Sequence, residues 1–418
     1  MIGATRSLLL RACLLGAALA SLPALAQSEE IAARIIVLRH GVRSPTSSPD
    51  ELAPYASRPW TAWPVAPGVL TEHGAKGISA LGQRMARMLA TDGLGHGGCD
   101  DPWLVIADST PRNRASGAAL VQGLQPACHS DYLALAPEQN NALFHFVGKS
   151  GAKDDDAAVA PSTWPPSALV ELQSVLLGCS GDACLQDASK KGRKLLLDPA
   201  HDDDAAHAKS LKTAGSLSEN LMLEYAQGFA PAQVAWGKGD AATIGHIITL
   251  HNLQFALAKK SMPAAAKAGS NLLAHIVATL QQAAGTSTTV APLAPARTRT
   301  ILLVGHDTNL ANLAGVLGVD WHDERQPDDY PPGGALVFDL LKQKGGYALR
   351  VSSWMPTLAA LRQADFRSEN ALVRHALPLT PCHGQDSCPL ATVTEWLSSR
   401  FDPASIDPAI PAMPVNQP

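Results

Sequence analysis

The feature that most constrains this chain is a four-residue apolar run, residues 35–38 (IIVL), which ends directly at a cationic turn, residues 39–46 (RHGVRSPT). A short run of β-branched residues and leucine, followed by glycine and proline, predicts a buried β-strand that ends in a compact, rigid loop. Arginine side chains match phosphate oxygens in pairs, and a histidine held between two of them is a candidate nucleophile. We therefore predict that the turn binds a phosphate group, in preference to being an incidental basic surface loop.

Further apolar runs alternate with segments of helical periodicity. The runs at residues 103–107 and 301–304 each precede a predicted helix, from about residue 114 to 124 and from Asn309. Thr71 precedes apolar residues at helical spacing and is predicted to cap another helix. This alternation predicts an α/β fold with a large, mostly parallel sheet. Two more strand-like runs lie at residues 335–341 and 347–354.

The pattern changes in the middle of the chain, where helical segments are separated by polar loops and no clear strand is visible. These segments are residues 167–177, 217–228 and 245–260. We predict a smaller helical insertion domain, residues 149–260, within an α/β catalytic domain that is formed by residues 27–148 and 261–418.

Residues 1–26 have the organisation of a secretory signal peptide. Arg6 and Arg11 precede an apolar run, residues 14–25, that is too short to span a bilayer, and an A-x-A sequence ends at Ala26. We predict cleavage near Ala26, a periplasmic or secreted location and no membrane anchor. Loss of the two arginines changes the formal charge from -4 to about -6. A mildly acidic chain argues against nucleic acid as a partner.

Residues 39–46 resemble the first signature of the histidine acid phosphatases, branch 2 of the histidine phosphatase superfamily. Residues 304–313 (VGHDTNLANL) resemble the family's second signature, a His-Asp pair, in the HDTN form of bacterial periplasmic phytases. Residues 105–114 are similar to the segment that carries the family's third phosphate-binding arginine. The resemblance is closest to enzymes of the bacterial periplasmic phytase and glucose-1-phosphatase type, and it implies a phosphoglycerate-mutase-like α/β domain. Further matches, which extend it over nearly all of the chain after the leader, lie at residues 223–228, 250–255 and 331–334.

The resemblance implies that the protein is an acid phosphatase, which hydrolyses phosphomonoesters through a phosphohistidine intermediate. His40 would be the nucleophile, and Asp307 would protonate the departing oxygen and then help to activate water. Phosphoryl transfer also needs fixed charges around the phosphoryl oxygens. The residues implied to bind substrate are Arg39, Arg43, Thr46, Asp108, Arg112, Glu219 and His306.

Three of these residues have simpler interpretations. Arg112 would be an ordinary surface arginine, His306 would be a core histidine bonded to the backbone, and Asp307 would cap a helix that begins at Asn309. The last interpretation does not exclude catalysis, because a helix N-terminus also favours an anionic phosphate. Other histidines carry no such constellation and are predicted to be solvated or structural, including His73, His96, His201, His207 and His275.

No metal-binding cluster accompanies these residues in the sequence, and arginines would supply the charge stabilisation that divalent metals give to other phosphatases. We predict an enzyme without metal or cofactor, and a monomer whose partner is a small-molecule phosphomonoester. An acidic optimum is expected, because Asp307 has to be protonated for the first step.

Phytate (myo-inositol hexakisphosphate) is the predicted substrate. The HDTN sequence favours a phytase over a glucose-1-phosphatase, but the lysine that follows the turn in phytase-like relatives is Ser47 here. A glucose-1-phosphatase or a broad-specificity acid phosphatase is therefore the alternative. A phosphoglycerate-mutase-like enzyme fits less well, because such members are typically cytosolic and lack the late His-Asp pair. A periplasmic binding protein for phosphate compounds would use the same arginines without His40 as a nucleophile.

Six cysteines remain after the leader: Cys99, Cys128, Cys179, Cys184, Cys382 and Cys388. An even number in an exported protein predicts disulfides, and six cysteines allow fifteen pairings. The close spacings of the last four favour two local bridges, which leaves the first two for each other, and the family resemblance implies the same three pairs. A zinc site is the competing interpretation, but C-x2-C spacing and companion histidines are missing from the sequence.

Overall fold

The computed structural model describes residues 29–96, 98–137, 139–145 and 159–418. The predicted signal peptide and the predicted start of the helical insertion at residue 149 lie outside these residues. The strands are β1 Glu30–Arg39, β2 Trp103–Ala107, β3 Tyr132–Leu133, β4 Thr300–Gly305, β5 Ala335–Gln343, β6 Gly346–Pro356, β7 Leu372–Ala376, β8 Ser387–Pro389 and β9 Val415–Asn416. The helices are α1 Pro49–Leu52, α2 Glu72–Thr91, α3 Pro111–Leu124, α4 Ser167–Leu177, α5 Asp182–Lys190, α6 Asp204–Ala226, α7 Ala241–Ile247, α8 Thr249–Ala258, α9 Met262–Ala283, α10 Asp307–Leu317, α11 Leu358–Gln363 and α12 Leu390–Ser398.

The strands form one sheet in the order β7-β6-β5-β1-β4-β2-β3-β9, and β8 pairs with β6. The α/β fold class is confirmed, but the sheet is mixed instead of mostly parallel. β1, β4, β2 and β3 are parallel neighbours, whereas β5 to β8 and β9 pair antiparallel. For β5 and β6 the reason is their short connection, because a two-residue turn at Lys344 and Gly345 can join only antiparallel strands.

Two helices begin earlier than the sequence predicts, and both changes affect the candidate site. α3 begins at Pro111, a residue whose fixed φ suits the first helical position, so Arg112 lies in the first turn. α10 begins at Asp307, with His306 as its N-cap, so the interpretation of Asp307 as the cap is wrong. Thr71 is confirmed as the N-cap of α2, where its side chain accepts from the N–H of Gly74.

The sheet is covered by apolar helix surfaces on both faces. Alternate residues of β1 enter different clusters: Ile36 and Leu38 pack into one, and Ile35 and Val37 into the other. The first cluster includes side chains of α2, α3, α4 and α6, and the second includes side chains of α9, α10 and α12. The result is a three-layer architecture in which β1 is buried on both sides.

Residues 159–260, all of them described, contain helices α4 to α8 and no strand. The predicted helix at residues 167–177 is confirmed as α4, whereas the prediction for residues 245–260 is divided into α7 and α8. Leu169 and Leu172 of this segment share a hydrophobic cluster with Ile36 of the sheet. The division of the chain into a catalytic and an insertion domain stays a prediction.

Three disulfides join the six cysteines in the predicted pairs: Cys99 with Cys128, Cys179 with Cys184, and Cys382 with Cys388. By length and hydropathy, none of the helices in the described ranges could cross a membrane alone, although the bent pair α4 and α5 passes that test together.

Candidate active site

Three parallel strands end at the same edge of the sheet. Arg39, the last residue of β1, is in register with Gly305 at the end of β4, and Ala107 at the end of β2 is in register with Val304. One residue further, the N–H of His40 donates to the carbonyl oxygen of Gly305 at 3.0 Å. Because the carboxyl ends of parallel strands open onto one crevice, the residues that follow these strands are brought together there.

The loop after β1 is held through its backbone from two sides. A Cβ on Gly41 would lie 2.8 Å from the carbonyl oxygen of Gly74 in α2, so only glycine allows this approach. From the loop before β5, the N–H of Gly333 donates to the carbonyl oxygens of Arg39 (3.1 Å) and His40 (3.2 Å). Backbone contacts therefore fix the loop that carries Arg39, His40 and Arg43.

His40 is almost fully buried, and its Nδ1 lies 2.9 Å from the carbonyl oxygen of Gly41. Since a carbonyl oxygen only accepts, Nδ1 carries the proton and Nε2 keeps its lone pair. Burial and the positive charges of Arg39, Arg112 and Arg43 hold the pKa of His40 well below its usual range. Both effects favour the neutral imidazole, whose Nε2 can attack an electrophile.

Glu219 of α6 joins the two arginines of the loop. It accepts a hydrogen bond from Nη2 of Arg39, and Nη2 of Arg43 lies 3.1 Å from each of its carboxylate oxygens. Burial would raise the pKa of Glu219, but Arg43 and Arg39 lower it, so the group is a carboxylate. The contact partners of this predicted substrate-binding residue are thus the guanidinium groups, and it orients both of them.

Arg39 is completely buried and is surrounded by acceptors. Its Nη1 donates to the carbonyl oxygen of Tyr330 at 2.6 Å and lies 3.6 Å from Oδ2 of Asp328. Its Nη2 lies 2.9 Å from Oδ2 of Asp307. Burial opposes the charge of Arg39, but Asp307, Glu219 and Asp328 raise its pKa, so this guanidinium is a fixed positive charge.

Arg112 and His306 are in contact with each other beside His40. Nη2 of Arg112 lies 3.2 Å from Nδ1 of His306, and Nε2 of His306 lies 2.9 Å from Oδ2 of Asp108. Because arginine only donates and a carboxylate only accepts, the His306 ring accepts at Nδ1 and donates from Nε2. Its ring stands edge-on to His40, with centroids 5.6 Å apart. These contacts differ from the simpler interpretations, in which Arg112 is an ordinary surface arginine and His306 is a core histidine bonded to the backbone.

Asp108 lies behind His306 and has no exposed surface. Besides His306, Nδ2 of Asn113 donates to its Oδ2 at 3.1 Å. Burial would raise the pKa of Asp108, but hydrogen bonds from His145 and His306 hold it well below the usual range. The structure therefore places this predicted substrate-binding residue in contact with His306, whose imidazolium form it would stabilise.

Asp307 is bonded as a carboxylate. Its Oδ1 accepts from the N–H of Thr308 at 2.7 Å, and its Oδ2 faces Arg39 at 2.9 Å. Burial alone would raise its pKa, but Arg39, His251 and His40 together hold the pKa of Asp307 well below its usual range. An acid role for Asp307 therefore needs a nearby source of protons.

Thr46 is the predicted site residue nearest to the rim. It is exposed, and a Cβ on Gly68 would lie 3.7 Å from its methyl group and 4.0 Å from Nη1 of Arg112. These distances place Thr46 close to the arginine that faces His306. Ser47, the next residue, is half-buried.

Sequence reasoning missed His145, which shares Oδ2 of Asp108 with His306. Its Nε2 is 3.4 Å from Oδ2 of Asp108, and its ring centroid is 4.8 Å from that of His306. The residue follows β2 by almost forty positions, in a stretch without helix or strand periodicity. No local sequence pattern marks it.

A second missed residue, His251 of α8, approaches the site from the opposite side. It is 3% exposed, and its Nδ1 lies 3.4 Å from Oδ1 of Asp328. It falls within residues 250–255, which resemble a family segment, so that resemblance was a signal that could have drawn attention to it.

Two groups of described side chains bring nitrogen and oxygen atoms within 4.8 Å of one another: Asp108, His145 and His306, and Glu219, His251 and Asp307. A positive guanidinium already faces each group, because Arg112 lies against His306 and Arg39 lies against Asp307. Fixed positive charges disfavour a metal cation and favour an anion, so the chemistry of the site matches a phosphate group.

Known proteins are similar to this chain in both sequence and architecture. E. coli phytase AppA is 29% identical, over 91% of this chain and 95% of that protein, and a Salmonella typhimurium glucose-1-phosphatase is 25% identical over 73% and 75%. The Hafnia alvei phytase in complex with myo-inositol hexakis sulphate superposes with a TM-score of 0.75 at 29% identity, over 91% of this chain and 99% of that one. The family model of the histidine phosphatase superfamily (branch 2) matches residues 30–354, which include His40, Arg112 and the His306-Asp307 pair. This chain belongs to the histidine phosphatase superfamily, branch 2.

Proposed function

We propose that this protein is an acid phosphatase that hydrolyses phosphomonoesters through a phosphohistidine on His40, with phytate as its substrate. The observation that carries the proposal is the state of His40. Its Nδ1 is held by the carbonyl oxygen of Gly41, and the arginines around it keep Nε2 unprotonated. A neutral imidazole with a fixed orientation among guanidinium groups is suited to nucleophilic attack on an anionic phosphoryl group.

The arginines would bind the phosphoryl oxygens while His40 attacks. Glu219 fixes Arg39 and Arg43, and the Nε atoms of both arginines have no partner among the described residues and are left to donate to phosphoryl oxygens. Arg112, whose Nη2 lies beside His306, would donate as well. Negative charge that spreads over the equatorial oxygens in the transition state would be stabilised by these groups, which are already in position.

Two half-reactions follow from these positions. In the first, Nε2 of His40 forms a bond to phosphorus, and the ester oxygen leaves with a proton from Asp307. In the second, Asp307 takes a proton from water, the water oxygen attacks phosphorus, and the bond to His40 breaks. Asp307 fits both steps, because it lies beside Arg39 within the same crevice.

Phytate is the proposed substrate because of the relatives. Hafnia alvei phytase superposes in three structures with TM-scores of 0.70 or more at identities between 26% and 29%, and one of these structures holds myo-inositol hexakis sulphate. Ser47 favours a second candidate, a broad-specificity acid phosphatase or glucose-1-phosphatase, because a neutral side chain replaces the lysine expected beside a distal phosphate. We also propose that the mature protein is periplasmic or secreted and monomeric.

Rapid-quench labelling tests the chemistry. Protein mixed with a ³²P-labelled phosphomonoester and quenched in alkaline denaturant, which preserves an N–P bond, should carry label on His40. The His40→Asn variant should carry none and should lose turnover by about 10³-fold or more. His73→Asn is the matched control, because His73 lies on α2 and bonds only the carbonyl oxygen of Leu361. Unlabelled wild-type protein would support a phosphate-binding protein instead.

A substrate panel at acidic pH tests the specificity. Phytate, glucose 1-phosphate and p-nitrophenyl phosphate should all be hydrolysed, with phytate giving the highest kcat/KM. Similar kcat/KM values on all three substrates would favour a broad-specificity acid phosphatase. A clear preference for glucose 1-phosphate would favour a glucose-1-phosphatase.

A further inference from the structure

His251 is buried among carboxylates that serve the candidate site. It lies on α8 with its ring 4.1 Å from that of Phe255, and its Nδ1 is 3.4 Å from Oδ1 of Asp328. One of its ring nitrogens lies within 4.8 Å of carboxylate oxygens of both Glu219 and Asp307. A buried imidazole that faces three carboxylates is placed to hold a proton as imidazolium.

The neighbouring acid needs such a proton. Asp307 accepts from the N–H of Thr308 and faces Arg39, and these two contacts stabilise its carboxylate form. A carboxylate cannot protonate the alkoxide that leaves from an alkyl phosphate. Arg39 does not provide the proton, because an arginine keeps its charge throughout the accessible pH range.

We propose that His251 supplies, through Asp307, the proton that the departing ester oxygen receives. The proposal rests on the function proposed above and adds a positioning residue to it. Glu219 of α6 and the Asp307 carboxylate lie next to His251. His251 would therefore act on Asp307 without touching the substrate.

Asp307 and His251 together account for every proton that is transferred in the two half-reactions. As Nε2 of His40 bonds to phosphorus and the P–O ester bond breaks, the electron pair of that bond goes to the ester oxygen. That oxygen takes a proton from Asp307, which in turn receives one from the His251 imidazolium. In the second half-reaction, the proton released by the attacking water passes to Asp307 and back to His251. Each turnover therefore returns both groups to their starting forms.

The charges around His251 set the pH range over which it can act. Burial lowers the pKa of His251, but Asp328 on the loop before β5, Glu219 on α6 and Asp307 on α10 outweigh burial and raise it. Arg39 and Arg43 lie beyond these carboxylates and pair with Glu219. Because the net shift is upward, His251 should stay protonated to higher pH than an ordinary histidine.

Leaving-group dependence separates proton supply from a structural role. The His251→Gln variant keeps a polar side chain but cannot carry the proton. Its kcat on β-glycerophosphate or phytate should fall by about tenfold or more, whereas p-nitrophenyl phosphate, whose leaving group needs little protonation, should lose less than about threefold. The matched control is His275→Gln, because His275 is equally buried but lies on α9 and bonds the carbonyl oxygen of Ala291.

Equal losses on alkyl and aryl substrates, or no loss on either, would overturn the proposal. The His251→Gln variant should still carry ³²P label on His40. The proposed function has a separate test, because wild-type protein that carries no label would refute that function and not only the role of His251. If His251→Gln does not fold, ¹⁵N NMR of histidine-labelled wild-type protein decides the question. A buried imidazolium should persist at a pH where an exposed histidine is neutral, and only neutral buried rings would overturn the proposal.

Discussion

Oδ2 of Asp108 lies 2.9 Å from Nε2 of His306, and the carboxylate that makes this contact is completely buried. Burial and the positive charge of Arg112 lower the pKa of His306, whereas Asp108 raises it. The carboxylate therefore determines how readily His306 becomes an imidazolium beside a bound phosphoryl group. This relationship predicts that a substitution of Asp108 acts on phosphoryl binding through His306.

We expect Asp108→Asn to weaken phosphoryl binding. A hydrogen bond to a charged group contributes about 1.5–3 kcal/mol, which corresponds to a loss of roughly 10- to 150-fold in kcat/KM. Inhibition by vanadate should weaken in parallel, because vanadate would occupy the phosphoryl position beside the same His306 ring. Asp365→Asn is the control, since Asp365 pairs with Arg367 on the surface. Unchanged vanadate affinity would show that Asp108 does not act through His306.

Asp307→Asn should affect substrates according to their leaving groups. The asparagine keeps the size of the side chain and can still face Arg39, but it cannot donate or accept the transferred proton. Hydrolysis of phytate should fall by about 10²- to 10⁴-fold, and hydrolysis of p-nitrophenyl phosphate should fall far less. The measurement is kcat on both substrates. Equal losses of kcat would indicate that Asp307 only holds Arg39 in place.

Ser47→Lys should lower KM for phytate. Ser47 is half-buried and follows the exposed Thr46, so a lysine there could reach a phosphate beyond the reacting one. A partly exposed charge-assisted contact is worth about 1–2 kcal/mol, or roughly 5- to 30-fold in affinity. Glucose 1-phosphate should show little change, since it has no distal phosphate. Thr91→Lys, at the opposite end of α2, adds the same charge away from the crevice, and a uniform change across substrates would contradict the prediction.

Glu224 should make the fold less stable as pH rises. Its carboxyl is 2% exposed and accepts the N–H of Ala235 at 2.9 Å, and burial raises its pKa to about 8. The folded protein therefore binds a proton that the unfolded chain has lost above its ordinary pKa. Between roughly pH 4.5 and 8, the free energy of unfolding should fall by up to about 1.4 kcal/mol per pH unit.

Glu224→Gln tests this slope, because glutamine keeps the acceptor and removes the titration. Urea unfolding at pH 5 and pH 8 should show a larger loss of stability for wild-type protein than for the variant. The exposed Glu395→Gln provides the control. Identical slopes for wild type and Glu224→Gln would mean that Glu224 does not bind the extra proton.

The sequence identifies the residues that directly follow strands, because strand ends are local features. His40 and Asp307 each follow an apolar run, and parallel pairing of β1 with β4 places them in one crevice. The contacts of Glu219 are harder to foresee, since it lies in the middle of a long helix and meets Arg39 only through tertiary packing. His145 and His251 are missed for the same reason: their roles depend on distances across the fold.

The direction of the later strands also depends on more than apolar periodicity. The runs that become β5 and β6 predict strands, but periodicity carries no information on pairing direction. The two-residue connection at Lys344 and Gly345 is the signal for the antiparallel pairing of these two strands. Similarly, the proline at residue 111 moves the start of α3 so that Arg112 faces the crevice.

β1 lies where the parallel and antiparallel halves of the sheet meet, and the two halves contribute different contacts to the crevice. On its β4 side, the strand exits carry the side chains that would do the chemistry, including His306 and Arg112. On its β5 side, the neighbouring strand runs the other way, so the crevice receives the loop that enters that strand, and the N–H of Gly333 there donates to the carbonyl oxygens of Arg39 and His40. One half of the sheet thus carries the side chains proposed to react, and the other supplies contacts that hold the loop after β1. Substitution of a side chain at the strand exits of the parallel half should therefore change reaction rates before it changes melting temperature.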